Sequence, residues 1–369
     1  MENRRLRNED TLMYTIIDRM DAMVRVMDGN DQVLYMNEKM RQRFGERCGE
    51  KCYETLAHQR KCKNCVTQRS RGSGIAEHKE SVVDGRTYRI IASSVQLTGA
   101  RRYYIEFFVD ITEQKALEES NRQHFVRLKQ DVEFARQVQY NALPKDGQYY
   151  ESITLHSIYR PAESLAGDFF DVVAIDKERL LFYIADVSGH GVKSSLLTIF
   201  LRQVIRGMKE EAGDYKKLIN GILQGLNDLH AGGELYLTIA AGIYNKKSRE
   251  LTLVNAGHNC LPVLEEPGKA PEEIPVYGMP ICSILKEVNH RPVTKKIKPK
   301  SRMLLYTDGI TEAEDQDGNP FGFDGLMRLW NSQQGKSPQR IMAALQAKVV
   351  EFSAFLPTDD MTATLIEFL

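Results

Sequence analysis

Carboxylates beside small residues are the groups in the second half of this sequence that could do chemistry. Four acidic segments share this design: Gly167-Asp168-Phe169-Phe170-Asp171, Ala185-Asp186-Val187-Ser188-Gly189, Thr307-Asp308-Gly309 and Thr358-Asp359-Asp360. Each carboxylate is expected at the end of an apolar strand, where a turn exposes its charge. Carboxylates gathered at buried strand ends repel one another, so their convergence requires divalent cations. The four segments together predict a metal site.

The ligand chemistry indicates which ions this site would take. Oxygen ligands without Cys or His favour hard ions such as Mn²⁺ or Mg²⁺ over zinc. Two such ions a few Å apart could share a hydroxide and activate it in line with a phosphoryl leaving group. An Asp-Gly after a strand is more often a turn than a ligand when it stands alone. The prediction therefore depends on all four segments occurring together.

Short strands and two longer helices are the elements that must position these carboxylates. Beyond Pro144, apolar patterning predicts strands at 153–159, 179–187, 235–244, 250–255, 303–307 and 361–368. The same patterning predicts helices at 193–211 and 215–230. This mixture indicates an α+β sandwich with helices outside the sheets.

In this order, the acidic segments resemble the bacterial branch of the PPM, or protein phosphatase 2C-like, family, typified by stage II sporulation protein E and stress-response regulatory phosphatases. The resemblance covers about residues 134–369 and includes the segment Asn255-Ala256-Gly257-His258-Asn259. It begins with 134–144, which resembles the helix-to-proline segment that precedes these catalytic domains. It implies an α-β-β-α sandwich with two metal ions and a bridging water that attacks phosphoserine or phosphothreonine.

The resemblance also implies roles for single residues. Carried over position by position, the metal ligands are Asp168, Asp186, the backbone carbonyl of Val187, Asp308 and Asp359. Four neighbours are expected to support these ligands or, for the carboxylates, to replace one: Asp171, Asp360, Gly189 and His190. Gly189 and Gly191 are also expected to let the backbone turn tightly below the metals.

Two histidines and two departures from the family pattern qualify this assignment. His190 and His258 titrate near neutrality and could protonate a leaving serine oxygen. Each lies in a glycine-bearing turn, where a structural hydrogen-bonding role is commoner, so neither is predicted to be catalytic. Ala166 stands where many relatives have a second glycine. No arginine matches the phosphate-binding arginine of the eukaryotic relatives, so phosphate recognition is expected to depend mainly on the metals.

The first hundred residues resemble a PAS domain over about residues 15–115. The features are a β-hairpin around Asp28–Asp31, a helix opened by Asn37, and strands at 77–83, 87–96 and 102–109 before Asp110-Ile111-Thr112. Such folds commonly serve as ligand, redox or dimerisation modules, so the resemblance implies control of the attached phosphatase. The predicted organisation is a PAS sensory domain at 1–112, a helical linker at 113–146 and a phosphatase domain at 147–369.

Four cysteines of the front domain, Cys48, Cys52, Cys62 and Cys65, have the spacing C-x₃-C-x₉-C-x₂-C. This spacing is compatible with a zinc site or an iron–sulfur cluster. A reversible thiol switch and inert thiols are the alternatives. Cys260 and Cys282 are expected to be packing residues.

The linker predicts a long helix with an apolar stripe. Residues 113–143 contain no Gly or Pro, and a helix of this length extends for about 45 Å. Five apolar residues stand near heptad spacing: Leu117, Phe125, Leu128, Val132 and Ala135. The stripe favours a homodimer, and packing on a neighbouring domain or a plain amphipathic linker are the alternatives.

Composition excludes several functions. Lys+Arg and Asp+Glu both number 50, so the net charge of zero provides no field to gather nucleic acid. The sequence contains no apolar run of about 18 residues, so no membrane span is predicted, and a cytoplasmic location is expected.

The resemblance implies a PAS-regulated serine/threonine phosphatase whose substrate is an anti-sigma-factor antagonist in a partner-switching pathway. A catalytically silent scaffold and a metal hydrolase of small phosphorylated molecules are the alternatives.

Overall fold

The computed structural model describes residues 12, 15–56, 59–96, 101–189, 191–229, 236–285, 290–354 and 359–369. The chain divides into two units, residues 1–127 and 128–369, and the division falls inside a long helix. In the described part of the chain no helix is long and apolar enough to cross a membrane.

The first unit is built on an antiparallel sheet. Its described strands are β1 (Met23–Met27), β2 (Val33–Met36), β3 (Glu77–Val83), β4 (Arg86–Gln96) and β5 (Arg102–Asp110). They are ordered β2-β1-β5-β4-β3 across the sheet. Helices α1 (Glu38–Phe44) and α2 (Val66–Ser73) and a 3₁₀ turn (Glu54–Leu56) join β2 to β3. The hairpin, the helix and the three later strands lie where the sequence predicts them.

Asn37 shows how the sequence fixes one of these elements. Its side-chain oxygen accepts a hydrogen bond from the Met40 amide at 3.1 Å, which caps the first turn of α1. The same oxygen accepts from the Val24 amide at 2.9 Å in β1. One polar side chain therefore fixes where the helix begins and which strand it follows.

The core of the first unit contains an ion pair. Arg25 and Glu106, both buried, approach to 2.7 Å on the neighbouring strands β1 and β5. Arg25 also donates to the Cys52 carbonyl at 2.7 Å, and Thr67 donates to Glu106. Because each charge has several partners, the cost of burying the pair is offset.

The linker forms helix α3 (Thr112–Ala142), as its lack of Gly and Pro predicts. Its first turn is fixed by Asp110, whose carboxylate accepts from the Thr112 amide at 3.0 Å. Leu117, Phe125 and Leu128 of the predicted stripe are exposed.

The second unit contains two antiparallel sheets in its described residues. The first sheet consists of β8 (Asp168–Ala174), β9 (Arg179–Val187), β10 (Tyr236–Asn245), β11 (Glu250–Ala256), β14 (Ile281–Cys282) and β15 (Val293–Lys296). The second sheet consists of β6 (Gly147–Tyr149), β7 (Ile153–Arg160), β12 (Val263–Glu265), β13 (Glu272–Glu273), β16 (Arg302–Tyr306) and β17 (Met361–Phe368). The first sheet has the order β15-β11-β10-β9-β8, with β14 also paired to β10, and the second has the order β13-β12-β16-β17-β7-β6.

Helices cover the outer faces of these sheets, as the sequence predicts. Helices α4 (Val192–Gly207) and α5 (Tyr215–Asp228) pack on the first sheet. Helices α6 (Asp308–Thr311), α7 (Gly322–Ser332) and α8 (Pro338–Phe352) pack on the second. A third apolar cluster fills the space between the sheets. Strand β9 is apolar on both faces because one faces the other sheet and one faces the helices.

Candidate metal centre

Asp168 and Asp186 lie directly opposite each other on neighbouring strands. They are paired in the antiparallel register of β8 and β9. Side chains alternate along a strand, and Phe170 and Ile184, two positions further along their strands, pack in the core between the sheets. Both carboxylates therefore face the space between the sheets. Asp168 begins its strand, whereas the sequence placed it at the end of one.

The electrostatics of this pair reflect burial and like charge. The pKa of Asp168 is raised well above its usual value, first by burial and then by Asp186. The pKa of Asp186 is raised to about 7 by burial and by Asp308, Asp359 and Asp360. All four acidic segments thus contribute charge at one end of the sandwich, as the sequence predicts.

Thr307 connects the two sheets at this point. Its hydroxyl donates to Asp168 Oδ2 at 2.7 Å. Its backbone amide donates to the Thr362 carbonyl at 3.0 Å, which continues the pairing of β16 with β17. Asp308 follows in the first turn of α6, and Asn259 donates to Asp308 Oδ2 at 3.0 Å. Thr307 and Asn259 are site residues that the sequence did not single out.

Gly309 explains how Asp308 comes near Asp359 and Asp360. A Cβ on Gly309 would lie 2.2 Å from the Asp360 carbonyl oxygen, so the two backbones approach too closely for a side chain. The Asp-Gly pair therefore marks a close approach of two segments, not a turn. Asp359 is exposed, and its Oδ1 accepts from the Asp360 amide at 2.7 Å.

Asp360 supports the loop that leads into β8. Its carboxylate accepts from the Ala162 amide at 2.8 Å and from the Gly167 amide at 2.7 Å. Burial raises the pKa of Asp360, and these hydrogen bonds oppose that rise. Asp360 therefore positions the backbone of this loop. Its supporting role beside the metal ligands stays a prediction.

The Val187 carbonyl is packed against Gly167. A Cβ on Gly167 would lie 2.9 Å from this oxygen, and the Val187 amide donates to the Gly167 carbonyl at 3.1 Å. Gly189 and Gly191 have φ of 89° and 81°, backbone that glycine adopts readily, so both allow the tight turn that the sequence predicts. His190, between them, lies outside the described residues.

His258 joins the two sheets and is buried. Its Nε2 lies 2.8 Å from the Tyr306 carbonyl, which can only accept, so Nε2 carries a proton. Its Nδ1 lies 3.1 Å from the Thr238 hydroxyl on the other sheet. Burial lowers the pKa of His258, so the ring is neutral at pH 7. This geometry is that of a structural histidine, the commoner role for this turn.

Asp171 corrects one expectation from the sequence. It lies on the helix side of β8, where Phe169 and Val173 also pack. Its carboxylate accepts from Arg206 at 2.6 and 2.8 Å, and Arg202 approaches it to 3.2 Å. Successive side chains of a strand point to opposite faces of the sheet. Asp171, three positions after Asp168, therefore lies on the opposite face from Asp168. Asp171 therefore fastens β8 to α4 and does not support the metal ligands.

The donor set suits a hard divalent cation in its chemistry. It consists of carboxylates and one backbone carbonyl. The neighbouring negative charges raise the pKa of Asp168 and Asp186, and a cation would relieve this repulsion. In the described residues, however, no three Asp, Glu, His or Cys side chains lie close enough together to hold one ion. Mg²⁺ is commonly held by one or two carboxylates with waters in its other positions, so this count does not argue against an ion.

The cysteines of the first unit also form no preassembled metal site. No described cysteine lies close enough to two other Cys, His, Asp or Glu side chains to hold an ion with them. Cys48 is exposed, Cys62 is half-buried, and Cys52 and Cys65 are buried. Partial desolvation and the neighbouring Glu46 raise the pKa of Cys48 to about 11, and burial raises that of Cys52 to about 12. A raised pKa disfavours the thiolate that a thiol switch requires. The arrangement thus favours inert thiols over zinc or an iron–sulfur cluster.

The sequence is similar to three known bacterial proteins. Protein IcfG of Synechocystis sp. is 24% identical over 258 residues, which cover 63% of this chain and 40% of that protein. Phosphoserine phosphatase RsbP of Bacillus subtilis is 25% identical over 233 residues, covering 61% and 55%. Phosphoserine phosphatase RsbU of the same organism is 21% identical over 235 residues, covering 64% and 69%. The matched region thus spans about half the length of the first two relatives.

Solved structures and a family model agree with these relatives. The SiaA-PP2C domain of Pseudomonas aeruginosa superposes with a TM-score of 0.57 at 18% identity, covering 67% of this chain and 99% of that one. The PP2C domain of SpoIIE from Bacillus subtilis, with part of its regulatory domain, gives 0.51 at 15% identity, covering 76% and 69%. These likenesses show a PP2C fold. The family model described as stage II sporulation protein E (SpoIIE) matches residues 176–369, more than half of the sequence, and the chain belongs to this family.

Proposed function

We propose that this chain is a metal-dependent protein serine/threonine phosphatase. The observation that carries the proposal is the gathering of Asp168, Asp186 and Asp308 at one end of the sandwich, where burial and mutual repulsion raise the pKa of Asp186 to about 7. Such a cluster is costly unless cations neutralise it. Two relatives named phosphoserine phosphatases support the choice of reaction.

Two ions, Mn²⁺ or Mg²⁺, would supply activation of a water nucleophile and neutralisation of phosphoryl charge. The proposed ligands are Asp168, Asp186, the Val187 carbonyl, Asp308 and Asp359. The chain's other residues hold these groups in place. Thr307 orients the Asp168 carboxylate, Asn259 orients that of Asp308, and Asp360 holds the loop before β8.

We propose a phosphoserine or phosphothreonine protein as the substrate, and an anti-sigma-factor antagonist as its kind. The cluster lies at an end of the sheets and Asp359 is exposed, which suits a phosphorylated side chain presented by another protein. A nucleotide substrate would be expected to need a pocket for its base. A panel of phosphoproteins and nucleotides separates these two classes.

The first unit is proposed to be a PAS sensory domain that regulates the phosphatase through α3. Its sheet, the helix capped by Asn37 and the exit at Asp110 support this assignment. The exposed Leu117, Phe125 and Leu128 support a homodimer in which the α3 stripes of two copies pair.

Hydrolysis of a phosphoserine protein by the full chain tests the proposed reaction. Activity should require Mn²⁺ or Mg²⁺, and Asp308→Asn should lower it at least about a hundredfold, because one ligand loses its charge. Lys336→Gln, a change on an exposed surface residue, is the control. Wild-type protein that binds a phosphorylated partner without hydrolysing it, with or without metal, would favour the silent scaffold.

A further inference from the structure

Gln139 is a buried amide near the end of α3. The structure describes all of α3, and Gln139 is its one buried residue, with 2% of its surface exposed. Its neighbours Gln137, Val138 and Tyr140 are exposed. A polar side chain buried on a mostly exposed helix requires partners there, because an unpaired buried amide is costly.

The Gln139 amide has a partner for each of its polar groups. Its Oε1 accepts from the Ala166 amide at 3.1 Å, and its Nε2 donates to the Ala166 carbonyl at 2.8 Å. Nε2 also lies 3.0 Å from the Thr198 hydroxyl. A backbone N–H can only donate and a carbonyl can only accept, so the orientation of the amide is determined. Gln139 thus grips Ala166 by both backbone groups.

Ala166 begins the segment that carries the first proposed ligand. Gly167 follows, and its amide donates to Asp360 while its carbonyl accepts from Val187. Asp168 comes next, held by Thr307. Ala166, which Gln139 holds, is therefore two residues before the proposed ligand Asp168. The residue between them, Gly167, contacts the segments of Asp360 and Val187.

Thr198 extends this grip to α4. Its hydroxyl donates to the Ser195 carbonyl at 2.7 Å, so it is free to accept from Gln139 Nε2. Helix α4 begins at Val192, directly after the turn that follows Asp186 and Val187. Gln139 therefore contacts both the backbone just before Asp168 and the helix that follows Asp186.

We infer that Gln139 is a positioning residue that sets the metal affinity of the site. The inference rests on the proposed function. Gln139 touches no proposed ligand, but it fixes the backbone from which Asp168 extends relative to the helix that follows Asp186. Loosening this backbone adds conformational freedom that must be lost when the carboxylates bind an ion, so binding becomes less favourable. The last turns of α3 thereby act directly on metal binding.

The test measures Mn²⁺ binding to the full chain by electron paramagnetic resonance, a readout that does not depend on turnover. Gln139→Met removes every hydrogen bond of the amide and keeps a good helix former. Gln137→Met is the matched control, because Gln137 is exposed and, among the described residues, its side-chain amide donates to Glu133 at 3.3 Å and not to Ala166 or Thr198. We expect Gln139→Met to weaken Mn²⁺ binding roughly tenfold or more, as loss of a group supporting a ligand does, and the control to bind as wild type.

Thr198→Val separates the grip on Ala166 from simple anchoring of α3. It removes the hydroxyl but leaves both bonds to Ala166, so Mn²⁺ affinity should fall by less than about threefold. If Gln139→Met and Thr198→Val instead lower only the thermal midpoint and bind Mn²⁺ within twofold of wild type, Gln139 is an anchor and the inference is overturned. Should Gln139→Met not fold, Gln139→Glu takes its place with the same expectation and the same overturning result, since it keeps length but lacks donors.

The outcomes distinguish this inference from the proposed function. Wild-type protein that binds no Mn²⁺ and hydrolyses no phosphoprotein overturns both. Wild-type protein that does both, with a Gln139→Met variant of unchanged Mn²⁺ affinity, overturns the role of Gln139 alone. If Gln139→Met binds Mn²⁺ more weakly but reaches near wild-type turnover in excess Mn²⁺, the result supports a positioning role.

Discussion

Two glycines at the metal centre lie against the backbone of neighbouring segments. Gly167 packs on the Val187 carbonyl, and Gly309 packs on the Asp360 carbonyl. In both places the missing side chain lets two ligand-bearing segments meet. The roles of these glycines depend on distance across the fold, so a single sequence shows only that a small residue stands beside an aspartate.

Gly309→Ala tests the closest of these approaches. The new Cβ would lie 2.2 Å from the Asp360 carbonyl, so α6 must move away from Asp359 and Asp360. We expect turnover to fall at least about tenfold and the unfolding free energy to fall by roughly 1–3 kcal/mol. Phosphatase assays and urea unfolding measure the two effects. Gly207→Ala, where a Cβ meets nothing within 4 Å, is the control and should be near neutral.

The pKa of Asp186 predicts how the metal-free protein responds to pH. Its folded pKa of about 7 exceeds the model-compound value of 3.8, so the folded state binds the proton more tightly. This contribution to stability is complete below about pH 4 and is lost as pH rises through about 7, by up to about 1.4 kcal/mol per unit. His258, whose pKa is lowered, acts with the opposite sign, and comparison with Asp186→Asn removes its contribution. The difference reports Asp186 together with the part of the Asp168 pKa shift that Asp186 causes.

Urea unfolding in EDTA at several values between pH 4.5 and pH 7.5 measures this dependence. Wild type should lose stability relative to Asp186→Asn across that range, and saturating Mn²⁺ should abolish the loss because the ion replaces the proton. Parallel curves for the two proteins in EDTA would show that Asp186 is not protonated in the folded state.

At the scale of elements, strong apolar patterns predicted the structure well, and two kinds of feature escaped. Strand β9 and strand β17 have the predicted bounds because β9 contains the apolar run 180–185 and most residues of β17 are apolar. Helix α8 was missed although Pro338 starts it and its apolar residues recur at helical spacing. Gln139 could not be found, since one buried polar residue in a charged helix has no periodic signature.

The exposed stripe of α3 leads to a prediction about pairing of two copies. Leu117→Glu with Leu128→Glu would place charges in the proposed seam, so the dimer should dissociate at least about tenfold more readily. Gln130→Glu, on the opposite side of the helix from Leu128, is the control. Sedimentation velocity measures the mass of each protein. A wild-type monomer, or a double variant as dimeric as wild type, would contradict the pairing.

At the scale of the whole molecule, the sequence predicted the layers but not what fastens them. The two sheets and their covering helices follow from apolar patterns. His258 joins the sheets through Thr238 and Tyr306, and Asp171 joins the first sheet to α4 through arginines. These contacts join residues that are far apart in the sequence, and each depends on a specific side-chain geometry. Asp171 and Asp168 look alike in the sequence because only the fold shows that they face opposite sides.

Direct measurement of Mn²⁺ binding to Asp168→Asn and Asp171→Asn, beside wild type, tests the metal centre most directly. Wild type should bind two ions. Asp168→Asn should weaken binding at least about a hundredfold because it removes a ligand charge. Asp171→Asn should lose roughly 1–3 kcal/mol of unfolding free energy, since its arginines are partly exposed, and keep its Mn²⁺ affinity. Equal Mn²⁺ binding by wild type and Asp168→Asn, or no binding by wild type, would contradict a metal centre at this end of the sandwich.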